Sequence, residues 1–282
     1  KAGVTFGEDE DNFITYDDLG SYMDAFKSGT SDKLHHIQHA VMGGLSVGVT
    51  AQATGEKGPK TDQGTLRTRH ERLINYFKEG GRLFIDSGEF PAFQRRLTGR
   101  EGELNWEGIM SFYEEVADMA TDPKDIRNLT VVAPDRIGDP EATKELQKGY
   151  LDRIRKLMQR GVNVVVPAQR PPVDAGEASL AESIRQIQDV FEGDMNLPNF
   201  IVGVPSTAKA WHKDEVKKYV VDMSAEEPNA PNPIPNAFRL HMLGMSTERI
   251  VDLAKEIDDE LDGKQRAVIL GGDRTAQFAL AD

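Results

Sequence analysis

The sequence predicts an α/β protein whose parallel strands form a (β/α)8, TIM-like barrel, incomplete or irregular in places, with an N-terminal extension. From residue 80 onward, short runs rich in β-branched residues alternate with segments of helical spacing. These runs are almost continuously apolar, which is typical of parallel strands covered by helices on both faces. In addition, no G-x-G-x-x-G segment joins a strand to a helix, which weakens the Rossmann alternative.

Six strands are predicted after residue 80, and one more lies within residues 39–50. So many strand–helix units in series favour a barrel over an open sheet. In chain order the six are 82–86 (RLFID), 129–135 (LTVVAPD), 163–169 (NVVVPAQ), 200–206 (FIVGVPS), 239–245 (RLHMLGM) and 266–273 (RAVILGGD).

The segments between these strands have the periodicity of amphipathic helices. Residues 106–120 place Ile109, Phe112, Val116 and Met119 on one face. Further helices are predicted over 142–161, 179–193 and 246–263, each of which ends on a glycine.

Residues 1–40 are acidic and lack a clear period, so we expect an N-terminal extension there and the barrel over residues 41–282. The chain opens on Lys1 instead of methionine, and we expect it to be trimmed or to begin inside a longer product. It ends nine residues after Asp273, so an eighth strand is either missing or supplied by the N-terminal segment.

The composition excludes several classes of protein. The chain has 282 residues, 38% of them hydrophobic, and no run approaches the roughly 18 apolar residues of a membrane span. No cysteine is present, which excludes disulfides and cysteine-based zinc sites and fits a cytoplasmic protein. His35, His36 and His39 lack a carboxylate or cysteine at ligand spacing, so no metal site is predicted.

The net charge of −13 argues against broad, nonspecific binding of nucleic acid, but it allows a local basic groove. Two stretches are rich in arginine: TLRTRHERL at 65–73 and FQRRLTGR at 93–100. Taken alone, each stretch is better explained as a solvated loop or helix face.

Functional residues of such barrels lie at the carboxyl ends of the strands. The predicted ends here carry Asp86, Asp135, Gln169, Gly203 and Asp273, with Met242 to Gly244 on the remaining strand. Three aspartates at strand ends, each followed by more loop before its helix, are more than helix capping requires.

These strand ends, in this order and over about residues 80–275, resemble the tRNA-guanine transglycosylase family, nearest to its 7-deazaguanine DNA-modification branch. FIDSGEFPAF is similar to the family segment DSGGFQ, and RLHMLGMSTERIVDL is similar to RYLMGVGxPEDI. VVAPDRIGDPEAT, VVVPAQ and FIVGVPS resemble the strands whose aspartate, glutamine and glycine bind the base.

The chain also departs from the family pattern. Glu89 replaces a glycine and Pro91 replaces a glutamine, and the family's cysteine zinc ligands are missing. Asp273 matches the family nucleophile by position better than by its neighbours. The missing zinc part favours an enzyme that acts on DNA.

The resemblance implies base exchange by the chemistry of a retaining glycosidase, with no cofactor and no metal. Asp273 is the expected nucleophile, and Asp86 is the expected acid/base. Ser87 and Gly88 are expected to let the loop backbone approach the base closely.

The resemblance also implies how a guanine-like base is held. Asp135 is expected to accept hydrogen bonds from N1–H and the 2-amino group. The base-binding residues expected beside it are Gln169, Gly203 and Val204 at the exocyclic oxygen, Met242, Leu243 and Gly244 as the apolar platform, and Phe90 or Phe93 on the other face. Arg95, Arg96 and Arg100 are expected to hold the phosphates of the extruded nucleotide.

The expected partners are DNA and a free 7-deazaguanine base such as 7-cyano-7-deazaguanine, and no membrane. The same exchange in tRNA is the first alternative. A non-catalytic barrel that binds nucleic acid is the second. An unrelated barrel lyase or aldolase lacks support, because no strand-end lysine suggests a Schiff base. For the assembly of the chain, two alternatives stay open: a homo-oligomer and an accessory subunit of an active partner.

Overall fold

The computed structural model describes residues 14–16, 46–51, 77, 80–120, 122–171, 179–206, 210–225, 239–245, 247–261 and 269–272. The strands in this part of the chain are β1 (Ile14–Tyr16), β2 (Ser46–Thr50), β3 (Arg82–Asp86), β4 (Leu129–Val132), β5 (Asn163–Pro167), β6 (Phe200–Pro205), β7 (Arg239–Leu243) and β8 (Ile269–Gly272).

Helices follow most of these strands. They are α1 (Glu89–Leu97), α2 (Trp106–Asp118), α3 (Pro123–Ile126), α4 (Pro140–Gly149), α5 (Leu151–Arg160), α6 (Leu180–Phe191), α7 (Lys213–Ala225) and α8 (Thr247–Leu261). A short 3-10 helix, Glu192–Asn196, continues α6.

The chain divides into two compact units. The N-terminal unit comprises residues 1–132 and 156–164, and the C-terminal unit comprises residues 133–155 and 165–282.

In the N-terminal unit, β1, β2, β3 and β4 pair in chain order, and every pair is parallel. β3 spans the predicted residues and is buried over Leu83, Phe84 and Ile85. β1 lies in the segment expected to be an extension, and it is a strand supplied by the N-terminal region. The predicted domain boundary at residue 40 itself lies outside the described residues.

In the C-terminal unit, β6, β7 and β8 pair in chain order and in parallel. The backbone N–H of Ala168, just after β5, donates to the carbonyl of Gly203 in β6 at 2.7 Å. The α/β class with parallel strands is therefore confirmed, and it is consistent with part of a TIM-like barrel. Closure into eight strand–helix units stays a prediction.

The strands end earlier than the sequence pattern predicts, and prolines explain where. β4 stops at Val132 instead of residue 135, two residues before Pro134. β5 and β6 end on Pro167 and Pro205. Proline has no N–H to donate, so one potential bond is missing at each of them, although Ala168 and Ser206 directly after two of these prolines still donate to Gly203 and Leu243.

The helix predicted over residues 142–161 is in fact two helices. α4 ends at Gly149, and Tyr150 has non-helical angles of φ −109° and ψ 9° before α5 begins. A glycine inside a helix is costly to order, which favours a break at this point. At the far end, Gly161 takes a positive φ of 102° and ends α5, in agreement with the prediction.

The buried face of α2 matches its periodicity. Ile109, Phe112 and Val116 are buried, whereas Met119 is half-buried at the end of the helix. The N-cap Asn105 side chain accepts a hydrogen bond from the N–H of Gly108 at 3.1 Å.

His241, in the middle of β7, makes the stability of the C-terminal unit depend on pH. The imidazole is buried, and burial lowers its pKa from 6.5 to about 4 because the charged form loses its hydration. The unfolded chain therefore binds a proton below about pH 6.5 that the folded chain binds only near pH 4.

We predict that the free energy of unfolding falls by about 2 kcal/mol between pH 7 and pH 5 because of His241 alone. Stability from this group is complete above its unfolded pKa and is lost as the pH falls towards the folded pKa. Urea unfolding of the wild type and of His241→Gln at both pH values measures the difference. An identical loss of stability in both proteins would contradict the assignment.

Candidate active site

The carboxyl end of β3 carries Asp86 in a tight turn. The Oδ2 atom of Asp86 accepts a hydrogen bond from the N–H of Gly88 at 3.1 Å, and Ser87 Oγ accepts one from the N–H of Glu89 at 3.2 Å. Gly88 has φ 84° and ψ 15°, a left-handed conformation that favours glycine, and it directly precedes α1. The Asp86 side chain remains half-exposed at the end of its strand, while Ser87 is buried.

Glu89, at the start of α1, is a buried carboxylate paired with a guanidinium. Its carboxylate is only 3% exposed and forms an ion pair with Arg96. The Arg96 guanidinium also donates to the carbonyl of Gly102 at 2.6 Å and lies 5.9 Å from the ring centroid of Phe93. A buried carboxylate requires such a partner, so Arg96 stabilises the turn in addition to any contact with a phosphate.

The other two predicted phosphate ligands are more accessible. Arg100 is exposed, and Arg95 is half-exposed with its Nε donating to the carbonyl of Glu101 at 3.2 Å. Phe90, on the outer side of α1, is 43% exposed. Of the two aromatic side chains expected to cover a base, Phe90 is therefore the more accessible, since Phe93 lies under Arg96.

Asp135 and Gln169 form the central contact of the C-terminal unit. Both side chains are only 4% exposed. The Nε2 atom of Gln169 donates to Oδ2 of Asp135 at 2.8 Å, although the two residues are 34 positions apart. Two residues that the resemblance assigns to one base are therefore in direct contact.

The orientation of the Gln169 amide is defined by its second partner. Its Oε1 accepts a hydrogen bond from the backbone N–H of Gly138 at 3.4 Å. A backbone N–H can only donate, and an ionised carboxylate can only accept, so the amide nitrogen must face Asp135. The backbone carbonyl of Gln169 accepts from Ser183 Oγ of α6 at 2.9 Å.

The turn that carries Asp135 is held by the helix that follows it. Thr143, buried in α4, accepts from the N–H of Arg136 at 2.9 Å and donates towards the carbonyls of Arg136 and Asp139 at 3.1 and 2.8 Å. Asp139 in turn caps α4 by accepting from the N–H of Ala142 at 2.9 Å. The turn is therefore rigidly connected to α4.

Gly203 and Val204 lie inside β6, not at its carboxyl end. They pair in register with His241 and Met242 of β7. The Gly203 carbonyl is already used by Ala168, and Val204 is fully buried. A contact between their backbone and a base stays a prediction. The structure does explain why residue 203 is a glycine, because a Cβ at this position would lie 2.7 Å from Val165 Cγ1.

The three residues expected to form the apolar platform differ in exposure. Met242 is fully buried in the core, and Leu243 is half-buried. Gly244 takes a positive φ of 81° in the turn after β7. Leu243 is therefore the one large side chain of the three that retains accessible surface.

Asp273, the expected nucleophile, lies outside the described residues; β8 ends at the preceding residue, Gly272. His35, His36 and His39 also fall outside them. Within the residues that the structure does describe, no group of acidic and histidine side chains could hold a metal ion. In the same part of the chain, every helix is too short or too polar to cross a membrane.

Sequence reasoning missed three residues around Gln169. Arg170, the residue after Gln169, contacts both Glu215 and Trp211. The sequence offered one weak signal, since Trp211 is one of only two tryptophans and follows closely after a predicted strand end. No spacing rule connects Arg170 with Glu215, which lies 45 residues further along the chain.

No protein-family model matches the sequence, and a search of curated proteins finds no significant match.

We predict that Gly203→Ala destabilises the protein by about 1–3 kcal/mol, because the new methyl group overlaps Val165 Cγ1 and crowds Leu243 Cδ1 at 3.1 Å. Gly149→Ala is the matched control, since nothing lies within 4 Å of its Cβ position. Thermal unfolding of both variants tests the difference. Equal melting temperatures would show that β6 can shift to accommodate the methyl group.

Proposed function

We propose that the protein exchanges guanine in DNA for a 7-deazaguanine base through a covalent aspartyl–glycosyl intermediate. The contact between Asp135 and Gln169 is the observation that carries this proposal. It presents a carboxylate acceptor and an oriented amide donor next to each other in a buried environment. Such a pair is complementary to a heterocycle that displays N–H donors beside a carbonyl oxygen.

The guanine edge has this pattern. Its N1–H and 2-amino group are adjacent donors, and O6 is an acceptor, and a 7-deazaguanine keeps all three. Asp135 would accept from the two donors, and the second N–H of Gln169 would donate to O6. Adenine offers a single donor group on the corresponding edge. A buried site built for hydrogen bonding rejects such an analogue strongly, because its polar groups are left unpaired.

The carboxylates proposed for the chemistry come from the resemblance described above. In the exchange, the Asp273 carboxylate would attack C1′ as the C1′–N9 bond breaks. Asp86 would act as the acid that protonates the leaving base and as the base that accepts the proton of the incoming one. The incoming 7-deazaguanine would then attack C1′ and release Asp273. Asp86 lies at a strand end and is half-exposed, so its carboxyl group is accessible to a substrate.

A nucleic acid is the proposed partner because α1 and the turn after it carry an exposed aromatic ring and basic side chains. Phe90 is exposed on this helix, and Arg95 and Arg100 lie at its carboxyl-terminal end. In a chain of net charge −13, this local positive charge suits phosphate contacts.

Uptake of labelled base tests the proposed exchange. We expect 7-cyano-7-deazaguanine or guanine, carrying a radiolabel, to enter duplex DNA in the presence of the wild type and not of Asp273→Ala. Loss of the nucleophile should abolish transfer and leave the circular dichroism spectrum unchanged. Label in tRNA alone would replace DNA by tRNA as substrate. Base binding without transfer to either polymer would favour a non-catalytic subunit.

Binding at different salt concentrations tests the arginines. We predict that the double variant Arg95→Ala, Arg100→Ala has a less steep plot of log K for DNA binding against log [salt]. The magnitude of its slope should decrease by up to about one unit per lost phosphate contact. Affinity for the free, neutral base should not change. Arg82→Ala is the matched control, because Arg82 is exposed at the opposite end of β3. Arg96 is left in place because it neutralises Glu89. Equal slopes for all three proteins would exclude these arginines as phosphate ligands.

A further inference from the structure

Arg170, the residue directly after Gln169, is held in an unusually complete set of contacts. Its Nη1 donates to Glu215 Oε2 at 3.1 Å, and its Nη2 lies 3.0 Å from Glu215 Oε1. Nη1 also donates to the backbone carbonyl of Ala210 at 2.8 Å. The guanidinium carbon lies 5.2 Å from the ring centroid of Trp211. Guanidinium and carboxylate therefore meet as two parallel forks beside an aromatic ring.

Trp211 connects the same segment to the residue before Gln169. Its indole Nε1 donates to the carbonyl of Ala168 at 2.8 Å, and its side chain is only 1% exposed. Glu215 also accepts from the N–H of His212 at 2.7 Å, which holds its carboxylate in place at the start of α7. The segment 210–215 is thus hydrogen-bonded to the residue before Gln169 and to the residue after it.

The backbone of Gln169 is held at its own carbonyl and at both neighbouring residues. Its carbonyl accepts from Ser183 of α6, while its neighbours are bound to Trp211 and Glu215. The direction in which its side chain leaves the turn is consequently set by α6 and by residues 210–215. From that position the amide bonds to Asp135 and to the N–H of Gly138.

We propose that Arg170 is a positioning residue for base recognition: its clamp with Glu215 and Trp211 orients the Gln169 amide against Asp135. This inference rests on the proposed function and deepens it, since it assigns specificity to residues that do not touch the base. A preorganised donor binds without the entropy cost of being ordered, so the clamp supports both affinity and discrimination.

Arg170→Lys is the variant that tests the clamp. Lysine keeps the positive charge but loses the planar fork and the flat surface beside Trp211. Arg155→Lys is the matched control. Arg155 donates from Nε to Asp194 Oδ2 at 2.7 Å, and this pair has side-chain exposures of 33% and 23%, close to the 29% and 32% of Arg170 and Glu215. Both pairs belong to the C-terminal unit, and the described contacts of Arg155 do not include the turn 168–170.

Calorimetric titration with 7-cyano-7-deazaguanine, guanine and adenine provides the first measurement. We expect Arg170→Lys to weaken binding of the two guanine-type bases by about tenfold and to reduce their preference over adenine similarly. Arg155→Lys should retain the wild-type affinity and the wild-type preference over adenine, even if its melting temperature falls as much as that of Arg170→Lys. Equal affinities and preferences in the two variants would overturn the clamp. Asp135→Asn is the positive control for lost recognition.

A second measurement does not depend on base binding. In the wild type, the side-chain amide protons of Gln169, assigned by comparison with Gln169→Leu, should exchange slowly with solvent and have well-separated shifts. Arg170→Lys should move both protons towards the values of a solvated glutamine, and Arg155→Lys should not. Glu215→Gln, which keeps one acceptor oxygen, should have an intermediate effect.

The two measurements separate the failure of this inference from the failure of the proposed function. If the wild type binds none of the three bases, the proposed function is wrong, and the amide protons still decide whether Arg170 orients Gln169. If bases bind but the amide protons are the same in Arg170→Lys and in the wild type, the clamp is wrong and the proposed function is unaffected.

Discussion

The hydrogen bond from Gln169 to Asp135 joins two turns of the C-terminal unit that are far apart in the sequence, and it does so in a buried environment. A carboxylate that is removed from water needs donors, and a buried amide needs a partner for each of its polar atoms. The surrounding contacts meet these needs. Thr143 bonds to the turn that carries Asp135, and Ser183 donates to the backbone carbonyl of Gln169. The N–H of Gly138 donates to the side-chain oxygen of Gln169.

Prolines determine where these turns begin. β4 stops just before Pro134, β5 ends on Pro167 and β6 ends on Pro205. Proline cannot donate a backbone hydrogen bond, and after Pro167 and Pro205 one further bond, from Ala168 to Gly203 and from Ser206 to Leu243, precedes the turn. Asp135 and Gln169 follow one and two residues later.

In the N-terminal unit, Glu89 changes the role of its neighbours. Glu89 is buried at the start of α1, and its charge requires Arg96. That arginine then also bonds to the carbonyl of Gly102. A side chain that looks like a phosphate ligand in the sequence is therefore partly committed to stabilising the turn that carries Asp86, which leaves Arg95 and Arg100 as the more accessible cations.

By itself, the sequence determined the α/β class, the parallel direction of the strands and the position of β3, because apolar runs and helical periods are local patterns. It also placed Asp86, Asp135 and Gln169 at or just beyond strand ends. Only the tertiary structure decided that Asp135 contacts Gln169, that Arg96 pairs with Glu89 and that Arg170 is clamped by Glu215 and Trp211. It also decided that Gly203 is required by the packing of Val165 and Leu243. Contacts between residues 34 or 45 positions apart depend on how the turns and helices pack, and no period or spacing along the chain encodes that packing.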